Sequence, residues 1–321
     1  EAGNRLFERR LKAGVVGAGV FGGYHAQKYA ALPGVVLAAV LDVSKDAAEK
    51  TARHFGRRGT KALTDISEFA KLVDVATIAT PATTHYGVAR ELIDAGVHVL
   101  VEKPLALTLE QADDLIELAR GRGVTLQVGH QERFVIKATG LLSRGKAPKA
   151  ITSRRAGPWT GRCTDVGVVI DLMIHDLDLC HQLVDAPVIN AVASGTRMHG
   201  EDADEVSAEL LFRGGCKAHL FASRISERRE RVMRVDYDDG YVEIDFIKRT
   251  MTNTTPAELT PLGAGEAAQR AITSDPLGFA VSEFVRAVRG GHEPLVNGQA
   301  ARRALATALE ILEVADCREA A

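Results

Sequence analysis

The feature that most constrains the fold is a glycine-rich turn that joins a short apolar strand to a helix. A GxGxxG motif at residues 17–22 follows the β-branched run Lys12–Val16, and Asp42 ends the next apolar run, 25 positions after the first glycine. This spacing is typical of a βαβ unit that binds a dinucleotide. The first glycine permits the tight turn, the second lets the backbone approach the pyrophosphate, and the third allows close helix–strand packing. Because the whole unit fits, we favour a dinucleotide site over a glycine-rich turn without a ligand.

Apolar strands alternate with helical patterns as far as residue 130. The runs Val35–Leu41, Val73–Ala79, Val97–Val101 and Val124–Val128 are nearly continuous in apolar residues and are separated by segments of helix length. Such strands are buried on both faces, which predicts a doubly wound parallel sheet. We therefore predict an α/β protein with an N-terminal Rossmann domain at residues 12–130, whose ligand crevice lies at the carboxyl ends of the strands.

The pattern changes in residues 131–321, which we treat as a second domain. A helical stretch, Val168–Val184, precedes consecutive strand patterns between Ile189 and Phe246. Consecutive strands joined by short turns predict an α+β domain with a large, mainly antiparallel open sheet. Two helical patterns end the chain, and the last is a candidate to pack back on the Rossmann domain. One face of the sheet carries a helix, so we expect a second subunit to cover the other face, in a homodimer or homotetramer.

Composition excludes several classes of function. The 40 Lys and Arg residues nearly balance 42 Asp and Glu, giving a net charge of -2 and no overall field for nucleic acid or an anionic membrane. No apolar run approaches the ~18 residues of a membrane helix. The four cysteines are scattered without a CxxC, which indicates neither a zinc site nor a disulfide framework and favours a reducing cytoplasm. We predict a cytoplasmic protein that acts on a small molecule.

Asp42 also bears on which dinucleotide binds. A carboxylate accepts both ribose hydroxyls of NAD and repels the 2′-phosphate of NADP. The next residues, Val43 and Ser44, supply no arginine for that phosphate, so the sequence predicts NAD. The alternative is that Asp42 caps the next helix, but Ser44 is already placed for that role.

Further motifs resemble a known family. Glu102-Lys103-Pro104 follows the strand Val97–Val101, and Asp171, His175 and Asp178 follow in the second half. With the glycine motif and several shorter matches, these residues resemble the glucose–fructose oxidoreductase, inositol dehydrogenase and rhizopine-catabolism (Gfo/Idh/MocA) family over nearly the whole chain. The resemblance implies an NAD(P)-dependent dehydrogenase of sugars, cyclitols or sugar nucleotides, whose second domain binds substrate and mediates dimerisation.

Three residues are candidates for the chemistry. Oxidising a secondary alcohol requires a base for the hydroxyl proton while hydride leaves the carbon, and both Lys103 and His175 can serve as that base. Asp171 lies four residues before His175, a spacing that puts both on one face of a helix, where the carboxylate can orient the imidazole or bind a substrate hydroxyl. The family resemblance places catalytic roles on Lys103, Asp171 and His175. No metal is expected, because the acidic residues beside His175 have no second ligand cluster elsewhere.

The other site residues are predicted by position or by the resemblance. We expect His85 near the dinucleotide, because it starts the helix after Thr80-Pro81, with helix capping as an equal alternative. Glu102 is expected near the nicotinamide ribose. The predicted cofactor-binding residues are Gly17, Gly19, Val20, Phe21, Gly22, Asp42, Thr80, Pro81, His85, Glu102, Lys103 and Gln131. The predicted substrate-binding residues are Lys103, Arg133, Arg154, Arg155, Trp159, Asp171 and His175.

Two features favour a sugar nucleotide as substrate. The string Asp-Leu-Met-Ile-His-Asp at 171–176 resembles the bacterial subgroup that oxidises C3 of UDP-N-acetylglucosamine for diamino-sugar lipid A synthesis. Residues 133–164 contain eight Lys or Arg and no Asp or Glu. One or two of these charges are expected to hold a diphosphate, the rest being solvated surface, and Trp159 offers a ring for uracil. The alternatives are an inositol or free-sugar dehydrogenase, and a redox-silent NAD-binding regulator.

Overall fold

The computed structural model describes residues 10–161 and 163–319, so Arg162 of the basic stretch lies outside the described residues. The chain divides into two compact units. The first comprises the chain up to His130 together with Leu277–Arg302, and the second comprises Gln131–Pro276 together with the chain from Arg303 onward. The first unit therefore takes in a segment from near the C-terminus, beyond the predicted range 12–130.

The strands and helices are numbered here in chain order. The strands are β1 Leu11–Val16, β2 Val35–Leu41, β3 Lys61–Leu63, β4 Val75–Ile78, β5 His98–Val101, β6 Leu126–Val128, β7 Ala150–Ala156, β8 Val188–Arg197, β9 Glu205–Phe212, β10 Lys217–Ser223, β11 Glu230–Tyr237, β12 Gly240–Asp245, β13 Thr250–Asn253 and β14 Ala315–Glu319. The α-helices are α1 Val20–Ala31, α2 Lys45–Phe55, α3 Ile66–Ala70, α4 His85–Asp94, α5 Leu109–Arg122, α6 Glu132–Thr139, α7 Ile174–Leu183, α8 Ala267–Ser274, α9 Pro276–Gly290 and α10 Gly298–Val314.

The first unit contains a six-stranded sheet in the order β3-β2-β1-β4-β5-β6. Every neighbouring pair in it is parallel, which confirms the predicted Rossmann sheet. The strand order reverses between β1 and β4, and sheets of this type bind their ligand at that point, beyond the carboxyl ends of the strands. The glycine motif after β1 and Thr80-Pro81 after β4 both lie at this edge.

Local signals set the helix ends in this unit. Ser44 Oγ accepts a hydrogen bond from the Ala47 N–H at 3.3 Å, which confirms Ser44 as the cap of α2. Thr108 caps α5 in the same way through the Gln111 N–H, at 3.2 Å. Polar caps therefore begin these helices where the sequence predicts, because the first N–H groups of a helix need an outside acceptor.

The core of the first unit includes a helix from the end of the chain. Phe284, Val285 and Val288 of α9 are buried in the same apolar cluster as Leu37 of β2 and Tyr29 of α1. These α9 positions are spaced as one helical stripe, which is the pattern of a helix that buries one face against a sheet layer.

The second unit contains an eight-stranded sheet in the order β13-β12-β11-β7-β10-β9-β8-β14. The β7–β10 and β8–β14 pairs are parallel and the other described pairs are antiparallel, so the predicted mainly antiparallel sheet is confirmed. Strand β7 was not predicted, although it lies in the middle of the sheet. Its side chains alternate, with Ser153 and Arg155 buried and Thr152 and Arg154 exposed. An arginine at a buried position conceals the apolar alternation by which a strand is recognised.

Among the helices of the described residues, none has both the length and the apolar character needed to cross a lipid bilayer.

Candidate active site

The glycine turn after β1 has the shape that a pyrophosphate needs. Gly17 has φ +96°, and a Cβ on it would come within 2.5 Å of the Ala79 carbonyl oxygen. A Cβ on Gly22 would come within 1.7 Å of the Gly17 carbonyl oxygen, so α1 packs against the turn only because that position has no side chain. A Cβ on Gly19, in contrast, would meet no atom within 4 Å. The turn thus leaves open space beside the first N–H groups of α1, which suits a dinucleotide phosphate.

Asp42 lies at the end of β2 with its carboxylate fixed by the backbone. Its Oδ2 accepts the Ala18 N–H at 2.7 Å, and its Oδ1 accepts the Ser44 N–H at 2.8 Å. Each oxygen keeps a further lone pair for a ribose hydroxyl. The side chain of Val43 is fully exposed and supplies no positive charge to this place. The geometry fits the discrimination expected of Asp42, since the carboxylate is held beside the glycine turn.

Glu102, Lys103 and Pro104 follow β5 at the same edge of the sheet. The Glu102 N–H donates to the Ile78 carbonyl at 2.9 Å, which ties the start of this element to the end of β4. Pro104 is buried, whereas Lys103 is half-buried, and the peptide bond between them is cis. The Lys103 side chain reaches the surface. The backbone before it is held by the Glu102 hydrogen bond, and the residue after it is buried.

His85, expected near the dinucleotide, has its ring between two loops at this edge of the sheet. The side chain is buried, with Nδ1 2.7 Å from the Pro104 carbonyl oxygen and Nε2 2.9 Å from the Thr80 carbonyl oxygen. Whichever nitrogen carries the proton donates to a backbone carbonyl. Burial lowers the pKa of His85, against the opposing effect of these two carbonyls. Its ring thus links the loop after β4 to the loop after β5.

Glu102 is the end of a buried chain of hydrogen bonds. Its Oε1 lies 2.6 Å from His25 Nε2 on α1, and His25 Nδ1 lies 3.2 Å from the Thr77 hydroxyl on β4. That hydroxyl lies 2.9 Å from the phenol oxygen of Tyr29. Burial acts to raise the pKa of Glu102, but the bond from His25 and the positive charge nearby lower it on balance. The carboxylate therefore stays ionised although it is buried.

Asp171 and His175 lie in the second unit, at a change of helix type. Val169–Met173 forms a π-helical turn that continues into α7 at Ile174. Asp171 and His175 are both half-buried, whereas Met173 and Ile174 between them are buried. A single π-turn in an α-helix is rare and is frequent at functional sites. The structure thus leaves both predicted side chains partly open to solvent beside a buried stripe.

Arg133 and Arg155, two of the predicted substrate-binding residues, are buried and bonded to carboxylates of the second unit. Both are buried, Arg133 against the carboxylate of Asp178, and Arg155 against those of Asp176 and Glu132. The Arg155 Nε donates to Asp176 at 3.1 Å, and its Nη1 donates to Glu132 at 3.0 Å. Burial raises the pKa of Asp176, and the Arg155 guanidinium opposes that rise. In the structure these guanidinium groups neutralise the carboxylates of Asp178, Asp176 and Glu132.

Arg154 and Trp159 also have partners within the second unit. Because neighbouring residues of a strand point to opposite faces, Arg154 lies on the exposed face of the sheet, where it bonds Glu230 at 2.9 Å and covers the Phe221 ring at 4.1 Å. Trp159 stacks on His199 with ring centroids 4.0 Å apart. The Arg224 guanidinium lies 5.1 Å from the centroid of the Trp159 ring. The side chains of Arg154 and Arg155 therefore lie on opposite faces of the sheet.

No group of three or more His, Cys, Asp and Glu side chains is arranged for a metal ion in the part of the chain that the structure describes. Asp176 and Asp178, two of the acidic residues near His175, are held by arginines.

Sequence reasoning missed His25, Thr77 and Tyr29. The signal was present in α1, where Gly22, His25, Ala26 and Tyr29 are the buried residues, spaced as one helical stripe. Two polar side chains on the buried stripe of a dinucleotide-binding helix need partners, and the sequence does not show which partners they find.

Comparisons with known proteins agree with this architecture. A family model described as "Oxidoreductase family, NAD-binding Rossmann fold" (GFO_IDH_MocA) matches residues 11–130, and the model of the GFO/IDH/MocA C-terminal domain matches residues 141–243. The UDP-N-acetylglucosamine 3-dehydrogenase of Acidithiobacillus ferrooxidans is 34% identical over 308 residues, covering 94% of this chain and 96% of the relative. Its solved structure superposes with a TM-score of 0.84 at 33% identity, covering 96% of this chain and 98% of that chain. The scyllo-inositol 2-dehydrogenase (NAD(+)) of Bacillus subtilis is 28% identical, covering 68% of this chain and 69% of the relative.

Proposed function

The chain belongs to the GFO/IDH/MocA family of oxidoreductases with an NAD-binding Rossmann domain, and on that premise we propose that it oxidises the C3 hydroxyl of UDP-N-acetylglucosamine or a close relative. The observation that carries the proposal is the likeness to a UDP-N-acetylglucosamine 3-dehydrogenase along 94% of the chain. The likeness to an inositol dehydrogenase covers 68% at lower identity, which makes inositol oxidation the second candidate.

The glycine turn and Asp42 are the residues that we assign to the dinucleotide. The open space at Gly19 and the N-terminus of α1 receive the pyrophosphate, and the Asp42 carboxylate accepts the adenosine ribose hydroxyls. The other proposed cofactor contacts are Val20, Phe21, Thr80, Pro81, His85, Glu102, Lys103 and Gln131. When bound, NAD supplies the hydride-accepting carbon of the nicotinamide.

We assign the proton chemistry to three side chains. Lys103 and His175 act on the oxygen of the reacting hydroxyl, and Asp171 orients the His175 ring or binds a neighbouring hydroxyl. A histidine suits proton exchange near neutral pH because its ordinary pKa is about 6.5. A lysine can polarise the oxygen while it remains an ammonium.

The same likeness suggests where and how the protein works. We propose a role in supplying diamino sugars for lipid A, and a cytoplasmic location, which suits cysteines that form no disulfide among the described residues. We further propose a homo-oligomer formed through the exposed face of the second sheet, where Ile189 and Val192 of β8 are 54% and 52% exposed.

The test is a substrate panel read by absorbance at 340 nm. Purified protein with NAD is offered UDP-N-acetylglucosamine, N-acetylglucosamine and myo-inositol, with an aminotransferase and an amino donor to remove a 3-keto product. We expect NADH only with the UDP-sugar, and none from the Lys103→Ala variant. NADH from myo-inositol, with none from UDP-N-acetylglucosamine, would favour the second candidate and reject the first.

A further inference from the structure

With the His25 ring neutral, the hydrogen bonds that end at Glu102 can all run in one direction. With Glu102 ionised, its Oε1 can only accept, so His25 Nε2 carries the proton and donates across 2.6 Å. His25 Nδ1 is then an acceptor for the Thr77 hydroxyl at 3.2 Å, and the Thr77 oxygen accepts from the Tyr29 phenol at 2.9 Å. Every donor points toward the carboxylate, and aligned bonds of this kind strengthen one another.

The carboxylate is also fixed by close packing. A Cβ on Gly129, just after β6, would come within 2.6 Å of Glu102 Oε2. His25 and Thr77 are fully buried, and Tyr29 is as well. The carboxylate is thus held from α1 by His25 and bounded at β6 by a residue without a side chain. It has little freedom to turn, and its place is set by elements that are distant in sequence.

From this geometry we infer that His25 is a positioning residue for Lys103, acting through Glu102. His25, aligned by Thr77 and Tyr29, keeps the Glu102 carboxylate ionised and in one orientation, next to the lysine in the chain. This fixed negative charge, one residue before Lys103 in the chain, then holds the Lys103 side chain in place. The inference rests on the proposed role of Lys103. It adds His25, a buried residue of α1 that does not line the crevice, to the residues that prepare the site.

The charged and titratable groups around Glu102 make the inference testable by pH. His25 approaches from α1, His85 from α4, and Lys103 from the adjoining loop, and all three favour the ionised carboxylate. Without the hydrogen bond from His25, the effect of burial is less opposed and the pKa of Glu102 rises. Protonation of Glu102 then removes the negative charge next to Lys103 in the chain, so activity is lost at a higher pH than in the wild type.

The experiment compares His25→Ala, His25→Gln and Tyr29→Phe with His98→Ala as a matched control. His98 is another histidine of the first unit, and its ring accepts the Thr125 N–H at 2.9 Å, away from Glu102. For His25→Ala we expect kcat to fall about 10–100-fold, the range for removing an outer partner of a reacting group. NAD affinity by calorimetry should change by less than about threefold. The acid limb of the kcat profile should move up by about one pH unit or more.

The remaining variants separate positioning from simple loss of structure. His25→Gln keeps an N–H donor for Glu102 and should restore part of kcat, and Tyr29→Phe should have a smaller effect in the same direction. His98→Ala should leave kcat and the acid limb unchanged even if it lowers the melting temperature. A His25→Ala enzyme with the wild-type pH profile and kcat would overturn the inference.

An NMR measurement on the NAD-free protein tests the coupling without turnover. The ring nitrogens of His25 should show a proton on Nε2, and Glu102→Gln should shift that signal strongly. An unchanged His25 signal in Glu102→Gln overturns the inference even if the enzyme is active. A shifted signal in a protein that fails to oxidise UDP-N-acetylglucosamine supports the coupling and rejects the proposed substrate instead.

Discussion

At the scale of a single residue, Asp42 both holds the local backbone and, in our proposal, binds the cofactor. Its oxygens accept the Ala18 and Ser44 N–H groups, and in our proposal they also accept a ribose. We predict that Asp42→Ser combined with Val43→Arg weakens NAD binding about tenfold or more, the value of a lost charge-assisted hydrogen bond, and strengthens NADP binding. Calorimetry with both dinucleotides measures this. Asp42→Asn, which keeps one acceptor oxygen, is the control, and equal wild-type affinity for NADP and NAD would contradict the prediction.

Lys103 and His175 allow a second prediction at this scale. Each alanine variant should lower kcat by about 10²–10⁴-fold, because both groups act on the reacting oxygen, with NAD affinity largely kept. Steady-state kinetics and calorimetry give the two quantities. Lys50→Ala and His54→Ala, two exposed positions on α2, are the matched controls. Near-normal kcat in either test variant would remove that residue from the mechanism.

At the scale of elements, β7 and α7 are joined through a charge cluster. Arg155 of β7 bonds Asp176 of α7 and Glu132 of α6, and Arg133 of α6 pairs with Asp178 of α7. These bonds lie directly beside the π-turn and His175. Removing one member of a buried pair leaves the other charge buried without a partner. This loss of stability is far larger than the loss from breaking an exposed pair.

Two neighbouring arginines test this difference. Arg155→Met should lower the free energy of unfolding by about 3–5 kcal/mol, because it leaves buried carboxylates without a partner. Arg154→Met should lower it by only about 0–1 kcal/mol, because the Arg154 side chain is 48% exposed. Urea denaturation of both variants measures the values. Equal losses would show that the Arg155 cluster does not stabilise the second unit as argued.

At the scale of the whole molecule, the exposed sheet face bears on assembly. Phe221 lies on that face with Arg154 above its ring. We predict that Phe221→Glu shifts the protein from dimer or tetramer toward monomer, since it puts a charge into the centre of the proposed interface. Light scattering after size-exclusion chromatography measures the mass. Lys50→Glu, an exposed change in the first unit, should leave the mass unchanged. A monomeric wild type would reject the proposed oligomer.

The sequence by itself determined the dinucleotide half of the fold. The glycine turn, the cap Ser44 and Asp42 at the end of β2 could all be predicted, because each depends on interactions within a few residues or within one βαβ unit. The apolar composition of the strands was enough to predict that they are buried. The motifs around Lys103 and His175 could also be recognised, because each is a short run of consecutive residues.

Only the tertiary structure decided which polar side chains are buried and which partners they bind. The buried arginines appeared as a basic surface stretch, and β7 was hidden among them, because the carboxylates that neutralise Arg133 and Arg155 lie up to 45 residues away in sequence. His25 and Glu102 are 77 residues apart, and their bond forms only once α1 packs against the sheet. A buried charge is stable only with its partner in place, so its role follows from three-dimensional packing and not from its own sequence context.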